Sequence, residues 1–204
     1  MRYKPGHKEE KRKELLKASG GLAKRNGFAA TGVDALMQVA GVTSGAFYGH
    51  FSSKSELFTA LIESEVQASC QRWQNNPDQD IDEWIDHTLN HYLSKWHIQH
   101  PEAGCVLPAL LAEIGRANDT TKSVFAQEMR KGLDTLAQRL GSQELAWALI
   151  SQLIGTVQMV RAIPDTATQQ NILEASKRFV KHAIASSRVA AAAENKSPVT
   201  PQSQ

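Results

Sequence analysis

The stretch that decides the fold is residues 28–58, FAATGVDALMQVAGVTSGAFYGHFSSKSELF. Its pattern predicts a helix, a tight turn, a short second helix and the start of a third helix. Such a helix-turn-helix unit presents one short helix to the major groove of DNA. The chain has 204 residues, far more than this unit needs. The remainder is therefore expected to have a second task, and sensing is the leading candidate.

The first helix of this motif is predicted over residues 33–40. One apolar stripe repeats there at helical spacing, formed by Val33, Leu36, Met37 and Ala40. Thr31 is expected to cap the helix, with Asp34 as the acidic partner of a capping box. Gly41 follows, where a left-handed residue ends a helix without steric cost.

The second helix of the motif begins with small residues that allow its backbone to lie close to DNA. Thr43 is expected to cap it, and its first turn consists of Ser44, Gly45 and Ala46. Phe47 and Phe51 should face inward, which leaves Tyr48 and His50 pointing outward. A second capping box, 53–56, opens the next helix with Lys54 in its first turn, where exposed amides and a lysine suit a phosphate.

At these residues the chain resembles the TetR family of transcriptional regulators. The resemblance covers about residues 10–62 and rests on Gly27-Phe28, Thr31, the helix 33–40, Gly41-Val42-Thr43, Gly45, Phe47-Tyr48, His50-Phe51, Lys54 and Glu56-Leu57-Phe58. It implies an all-α homodimer that binds a palindromic double-stranded DNA operator. It also implies that a small-molecule effector in a C-terminal pocket releases the operator.

The same resemblance assigns roles to individual residues of the motif. Thr31, Tyr48 and Lys54 would hold phosphates, and His50 would lie at the phosphate rim. The residues nearest the base edges would be Thr43, Ser44, Gly45 and Ala46. The alternative, a helical hairpin that only packs, has no need for outward Tyr48 and Lys54 around one short helix.

Charge is unevenly distributed along the chain. Residues 1–54 hold ten Lys or Arg and four acidic residues, a net of +6, whereas the remainder holds 13 and 17, a net of −4. A basic head on DNA and an ordinary body explain this polarity. Six basic residues form an N-terminal arm that is either a DNA contact or merely solvated: Arg2, Lys4, Lys8, Lys11, Arg12 and Lys13.

The expected architecture is all-α with three parts. Residues 1–54 form the DNA-binding domain, 55–187 the effector-binding and dimerisation domain, and 188–204 a disordered tail. No stretch of about 18 apolar residues and no signal-peptide core is apparent, which predicts a cytoplasmic protein without a membrane span. Glycine-rich phosphate loops, CxxC pairs and nucleophile elbows are missing, so an enzyme is not expected.

Body helices are predicted over 53–73, 80–96, 104–116, 120–140, 142–163 and 166–187, the last capped by Thr166 with Gln169. In the first helix of the chain, Gly20-Gly21 cost about 1 kcal/mol each against alanine, so that helix is either less stable or closely packed. The last two helices are too apolar to bury one face only. They are expected to form a homodimer seam of Trp147, Ile150, Ile154 and Val157, with Gly155 allowing close approach; a fully internal helix in a monomer is the alternative.

An effector pocket is expected between the body helices, lined by apolar and aromatic groups. The candidates are Trp84, Tyr92, Trp96, Leu107, Leu111, Phe125, Met129 and Met159, each of which could equally be plain core. Cys105, at a predicted helix start, is either a reactive sensor of electrophiles or oxidants or an inert buried residue. His87 and His91 have zinc spacing, but no ligand set completes a site, so no metal or cofactor is expected.

These features favour a dimeric, ligand-released transcriptional repressor. The alternative is a helical protein-interaction module, derived from such a regulator, that no longer binds DNA.

Overall fold

The computed structural model describes residues 7–74 and 80–194, and over these residues the chain forms ten α-helices and no strand. They are α1 His7–Asn26, α2 Val33–Val39, α3 Ser44–Tyr48, α4 Lys54–Gln74, α5 Ile81–Tyr92, α6 Lys95–Gln99, α7 Leu107–Arg116, α8 Asp119–Leu140, α9 Gln143–Ala162 and α10 Thr166–Glu194. The predicted all-α class is confirmed. Arg2 and Lys4 of the basic arm lie outside the described residues.

Helices α1 to α3 pack around one aromatic and aliphatic core. Phe47 and Phe51 are fully buried, as the pattern predicted, and Leu36 packs with them. Gly41 ends α2 with a φ of +64°, and the Val42 amide donates to the Met37 carbonyl across the turn. This left-handed residue turns the chain sharply enough to place α3 across α2.

The two predicted capping boxes differ in outcome. The prediction at Thr31 is wrong, because Gly32 is the N-cap residue of α2 and makes no side-chain bond. Instead the Thr31 hydroxyl donates to the Gly27 carbonyl at 2.6 Å and is buried. At α4, the Glu56 amide donates to Ser53 Oγ at 3.1 Å, and the Glu56 carboxylate accepts from the Ser52 amide at 2.7 Å.

Close packing explains Gly20 but not Gly21 of α1. A Cβ atom at Gly20 would lie 2.6 Å from Glu65 Oε1 on α4, whereas one at Gly21 would make only ordinary contacts. The Glu65 carboxylate therefore occupies the space that a side chain at position 20 would need.

Several predicted helix limits are wrong, two of them because of a polar cap. The helix expected to reach residue 96 stops at Tyr92, since Ser94 Oγ accepts from the His97 amide and opens α6. Helix α7 begins at Leu107 rather than at residue 104. At α10 it is Asp165, not Thr166, whose carboxylate accepts from the Thr168 amide at 2.7 Å.

The predicted disordered tail is wrong for residues 188–194, which continue α10 to Glu194. An alanine run, 190–193, favours helix there. Arg188 also pairs with Asp82 of α5 at 2.6 Å. Residues 195–204 lie outside the described part of the chain.

Three of the residues predicted for the dimer seam of the last two helices are not available to a partner. Ile150, Ile154 and Val157 are buried within this chain, so they form its own core rather than a subunit seam. The large apolar side chains left exposed on α9 and α10 are Trp147, Met159, Phe179 and Val189. The periodicity therefore identified an apolar helix correctly but assigned the wrong face to the partner.

By length and composition alone α9 could cross a membrane, contrary to the expectation that no stretch is long and apolar enough. Its Leu149, Leu153 and Val160 are buried in the core formed with neighbouring helices. A core helix of a soluble protein meets the same criteria, so this is weak evidence for a span.

Candidate DNA interface and ligand cavity

Helix α3 lies at the surface of the three-helix unit. Thr43 and Gly45 are exposed, and Tyr48 is 63% exposed with its ring edge-on to the buried Phe47. Ser44 and Ala46 have their backbones in α3, but their side chains fall outside what the structure describes. The short helix can thus approach a groove while Tyr48 extends to one side of it.

Basic residues of α1 flank this helix on one side. His50 is half-buried, and its pKa is lowered by burial and then by the charges of Lys8 and Arg12. The Arg12 guanidinium lies 4.9 Å from the centre of the Phe51 ring. Residues far apart in sequence therefore form one positive edge beside α3.

Lys54 lies on the other side, in the first turn of α4. It is half-buried, and its Nζ donates to the Ala29 carbonyl at 3.1 Å and lies 5.1 Å from the Phe28 ring centre. These contacts hold an ammonium group beside the free amides of a helix N-terminus, which suits a phosphate oxygen. Thr31 does not share this surface, because it is buried.

A cavity of about 320 Å³ lies between α4, α5 and the segment after α6. Its described lining residues are Ser69, Arg72, Trp73, His87, Thr88, His91, Tyr92, Trp96, His97, Ala103, Gly104 and Cys105. Tyr92, Trp96 and Cys105 were predicted as pocket residues. The α4 wall was missed, although Ser69 and Trp73 stand one helical turn apart, which is a signal for a shared face.

The other predicted pocket residues lie elsewhere. Trp84 is in the core, and Leu111 and Phe125 are half-buried and pack against that core. Leu107 and Met129 line a separate apolar hollow of about 30 Å³. Met159 is 58% exposed on the outer face of α9. Apolar periodicity alone does not tell a cavity wall from a packed layer, because both are apolar.

Cys105 is buried at the wall shared by the cavity and the small hollow. The prediction that it begins a helix is wrong, since α7 starts at Leu107 with Val106 as its N-cap residue. The Cys105 amide donates to His97 Nε2 at 3.1 Å.

The His97 ring forms hydrogen bonds to two backbone groups in the cavity wall. Its Nδ1 lies 2.6 Å from the Tyr92 carbonyl, so Nδ1 carries the proton and Nε2 accepts from Cys105. Burial lowers the pKa of His97 to about 4, which keeps the ring neutral. Among the described residues no group of three His, Cys, Asp or Glu could hold a metal, and His87 and His91 line the cavity instead.

Polar contacts join the three-helix unit to the cavity wall and to α7. The Lys24 ammonium of α1 pairs with Glu65 of α4 at 2.8 Å and donates to the Gly104 carbonyl at 3.1 Å. The lysine side chain is 5% exposed. On α7, Glu113 accepts from the amides of Phe28 and Ala29 at 3.0 and 2.6 Å.

Helix α4 itself connects the two sites. Its 21 residues span about 31 Å at 1.5 Å per residue. Lys54 stands at one end, and Ser69, Arg72 and Trp73 form a cavity wall at the other. The candidate DNA interface and the cavity therefore share one helix.

Comparisons with known proteins identify the N-terminal unit. A family model described as bacterial regulatory proteins, tetR family, matches residues 15–61. The chain is 28% identical over 142 residues to the HTH-type transcriptional repressor NemR of Escherichia coli (strain K12), covering 66% of this chain and 69% of NemR. It is 35% identical over 66 residues to YerO, an uncharacterized HTH-type transcriptional regulator of Bacillus subtilis (strain 168), covering 32% of this chain but only 23% of YerO.

Solved structures share the fold along most of the chain. The crystal structure of reduced E. coli NemR matches with a TM-score of 0.72 and 21% identity, covering 84% of this chain and 96% of that one. A TetR-family regulator from Agrobacterium tumefaciens matches with a TM-score of 0.69 and 20% identity, covering 85% and 98%. The helical body as well as the N-terminal unit is thus common to these structures.

Proposed function

We propose that this chain, which belongs to the TetR family of bacterial regulatory proteins, is a cytoplasmic homodimeric repressor. Members of the family are DNA-binding transcriptional regulators. A small-molecule effector releases the repressor from a palindromic operator. The observation that carries this proposal is the exposed helix α3 with cationic groups on both sides. Thr43, Ser44, Gly45 and Ala46 lie nearest the bases, and Tyr48, His50 and Lys54 contact phosphates. Thr31 is left out because its hydroxyl is buried and already donates to a carbonyl.

The dimer forms through the exposed faces of α9 and α10. Trp147 and Met159 on α9 are 42% and 58% exposed, and Phe179 on α10 is 61% exposed. Small residues between them, such as Gly155, allow a second pair of helices to approach. Phe179→Glu should convert the dimer to a monomer in sedimentation velocity; an unchanged dimer would place the interface elsewhere.

Release follows if the effector prefers a conformer in which the two recognition helices are wrongly spaced. Helix α4 transmits the conformational change, because it forms one cavity wall and also carries Lys54. Gly104, in the opposite wall, accepts from Lys24 of α1. Both walls are therefore connected to the three-helix unit, one through α4 and the other through the hydrogen bond from Lys24 to Gly104.

In vitro selection from random duplexes tests the proposal. The enriched sequence should hold two inverted half-sites about one helical turn apart, and hydroxyl-radical footprints should protect both. Absence of any enriched sequence would favour the alternative, an interaction module that has lost DNA binding. A single asymmetric site would contradict the dimeric arrangement.

A further inference from the structure

The cavity wall carries cations and aromatic rings. Among the described lining residues there is no Asp or Glu. The Arg72 guanidinium donates to the neutral Ser69 hydroxyl at 2.9 Å. Trp73 and Trp96 supply flat apolar surface on the same lining, and Trp96 is 53% exposed.

A second guanidinium lies just behind this wall. Arg161 of α9 donates to the carbonyls of His97 and Ile98 at 2.8 and 3.2 Å. In the described part of the chain neither Arg72 nor Arg161 forms an ion pair. Both charges lower the pKa of His97 beyond the effect of its burial, so their field reaches the cavity wall.

The Tyr92 hydroxyl lies behind the cavity surface. The Tyr92 side chain is 6% exposed, and its hydroxyl oxygen has almost no accessible surface and no hydrogen bond to a nitrogen or oxygen atom of the described residues. Burial, and next the neighbouring Cys105 sulfur, raise the pKa of this phenol, so it keeps its proton. Tyr92 therefore belongs to the apolar packing of the wall, and its hydroxyl does not contact a ligand in the cavity.

We propose that the cavity binds a small planar carboxylate, whose anionic group is held by the Arg72 guanidinium and whose flat apolar part lies against Trp73 and Trp96. A guanidinium matches the planar, two-oxygen geometry of a carboxylate. The cavity volume of about 320 Å³ is that of a small-molecule site. The proposal deepens the proposed function, since this anion would be the class of effector.

Three probes of equal shape test the charge requirement on the full chain. They are naphthalene-2-carboxylate, its neutral carboxamide and 2-naphthylmethylammonium, titrated by calorimetry and by tryptophan quenching. The carboxylate should bind at least about tenfold more tightly than the amide, since hydrogen bonds to charged groups are the stronger class. Equal binding of the carboxylate and the amide, preference for the ammonium, or no binding of any probe would overturn the proposal.

Variants locate the site. Arg72→Gln should weaken carboxylate binding about tenfold, whereas Tyr92→Phe, which removes an enclosed hydroxyl, and the matched control Arg130→Gln, an exposed arginine of α8, should not. Carboxylate binding unaffected by Arg72→Gln would place the anion elsewhere and overturn the assignment. Thermal unfolding of each variant separates lost binding from lost folding.

An operator titration in the presence of naphthalene-2-carboxylate separates the two proposals. Lower operator affinity supports both. Tight, Arg72-dependent carboxylate binding with unchanged operator affinity would support the anion site and contradict effector release by this ligand class.

Discussion

At its N-terminal end α4 adjoins a proposed DNA surface drawn mainly from one short segment, residues 43–54, with Lys8 and Arg12 of α1 at its edge. At its C-terminal end α4 lines a cavity drawn from four segments, 69–73, 87–92, 96–97 and 103–105. DNA has a regular shape, so one helix and its flanks are enough to meet it. A cavity exists only where several helices fail to fill the space between them. The first kind of site is encoded locally, and the second depends on tertiary packing.

The largest expected loss of stability comes from removing the buried Lys24 ammonium, which connects α1 to α4 and to the cavity wall. Lys24→Met leaves the Glu65 carboxylate and the Gly104 carbonyl without their buried partner, and should lower the free energy of unfolding by about 3 kcal/mol. Chemical denaturation measures the change, and Lys13→Met, an exposed lysine of α1, is the control. The double variant Lys24→Met/Glu65→Leu should recover part of the loss; no recovery would show that the ion pair is not the cause.

The next effect concerns the cavity end and depends on pH. The folded-state pKa of His97 is about 4, below the unfolded value of about 6.5, so the unfolded chain binds more protons between these values. Stability is full above about pH 6.5 and should fall by about 3 kcal/mol as the pH drops to about 4. Urea titrations across this range should show a flatter dependence in His97→Asn. An equal slope in both proteins would remove His97 as the cause.

A smaller effect is expected at the DNA end. Tyr48→Ala should weaken operator binding about ten- to hundredfold, roughly 1–3 kcal/mol, by removing a phosphate contact. Because Tyr48 is exposed, the unfolding temperature should not change. Fluorescence anisotropy at matched salt measures the affinity. Tyr48→Phe, which keeps the ring, isolates the hydroxyl; unchanged affinity in both variants would remove Tyr48 from the interface.

The smallest effect lies away from both ends. Arg188→Ala breaks an exposed ion pair with Asp82 and should cost less than about 0.5 kcal/mol of unfolding free energy. Thermal denaturation checks this against wild type. A loss of several times that size would mean that the end of α10 packs more firmly than its exposed residues indicate.

Sequence reasoning correctly placed the residues whose positions depend only on nearby residues of the chain. Gly41, Phe47 and Phe51 are fixed by a turn and by helical spacing within a few residues of one another, so their roles could be predicted. Thr31 could not, because its hydroxyl has two kinds of local partner, the helix amides ahead, from which it would accept, and the Gly27 carbonyl behind, to which it donates. Local rules permit both arrangements.

At the cavity the prediction was incomplete, because tertiary packing brings residues together there that are distant in sequence. Tyr92, Trp96 and Cys105 were found through residue type, but Met159 has the same apolar character and faces outward. Arg72 gave no apolar signal, and its position on the cavity wall follows from how the fold places α4 opposite α5. The contact between Lys24 and Gly104, 80 residues apart, is likewise invisible to periodicity.

Hydrogen–deuterium exchange with and without the selected operator tests the connection between the two ends most directly. If α4 and Lys24 join them, DNA should change amide exchange at residues 43–54, at 69–73, which lie about 22–28 Å from Lys54 along α4, and at 103–106. Changes confined to residues 43–54, with the cavity walls unaffected, would contradict the account.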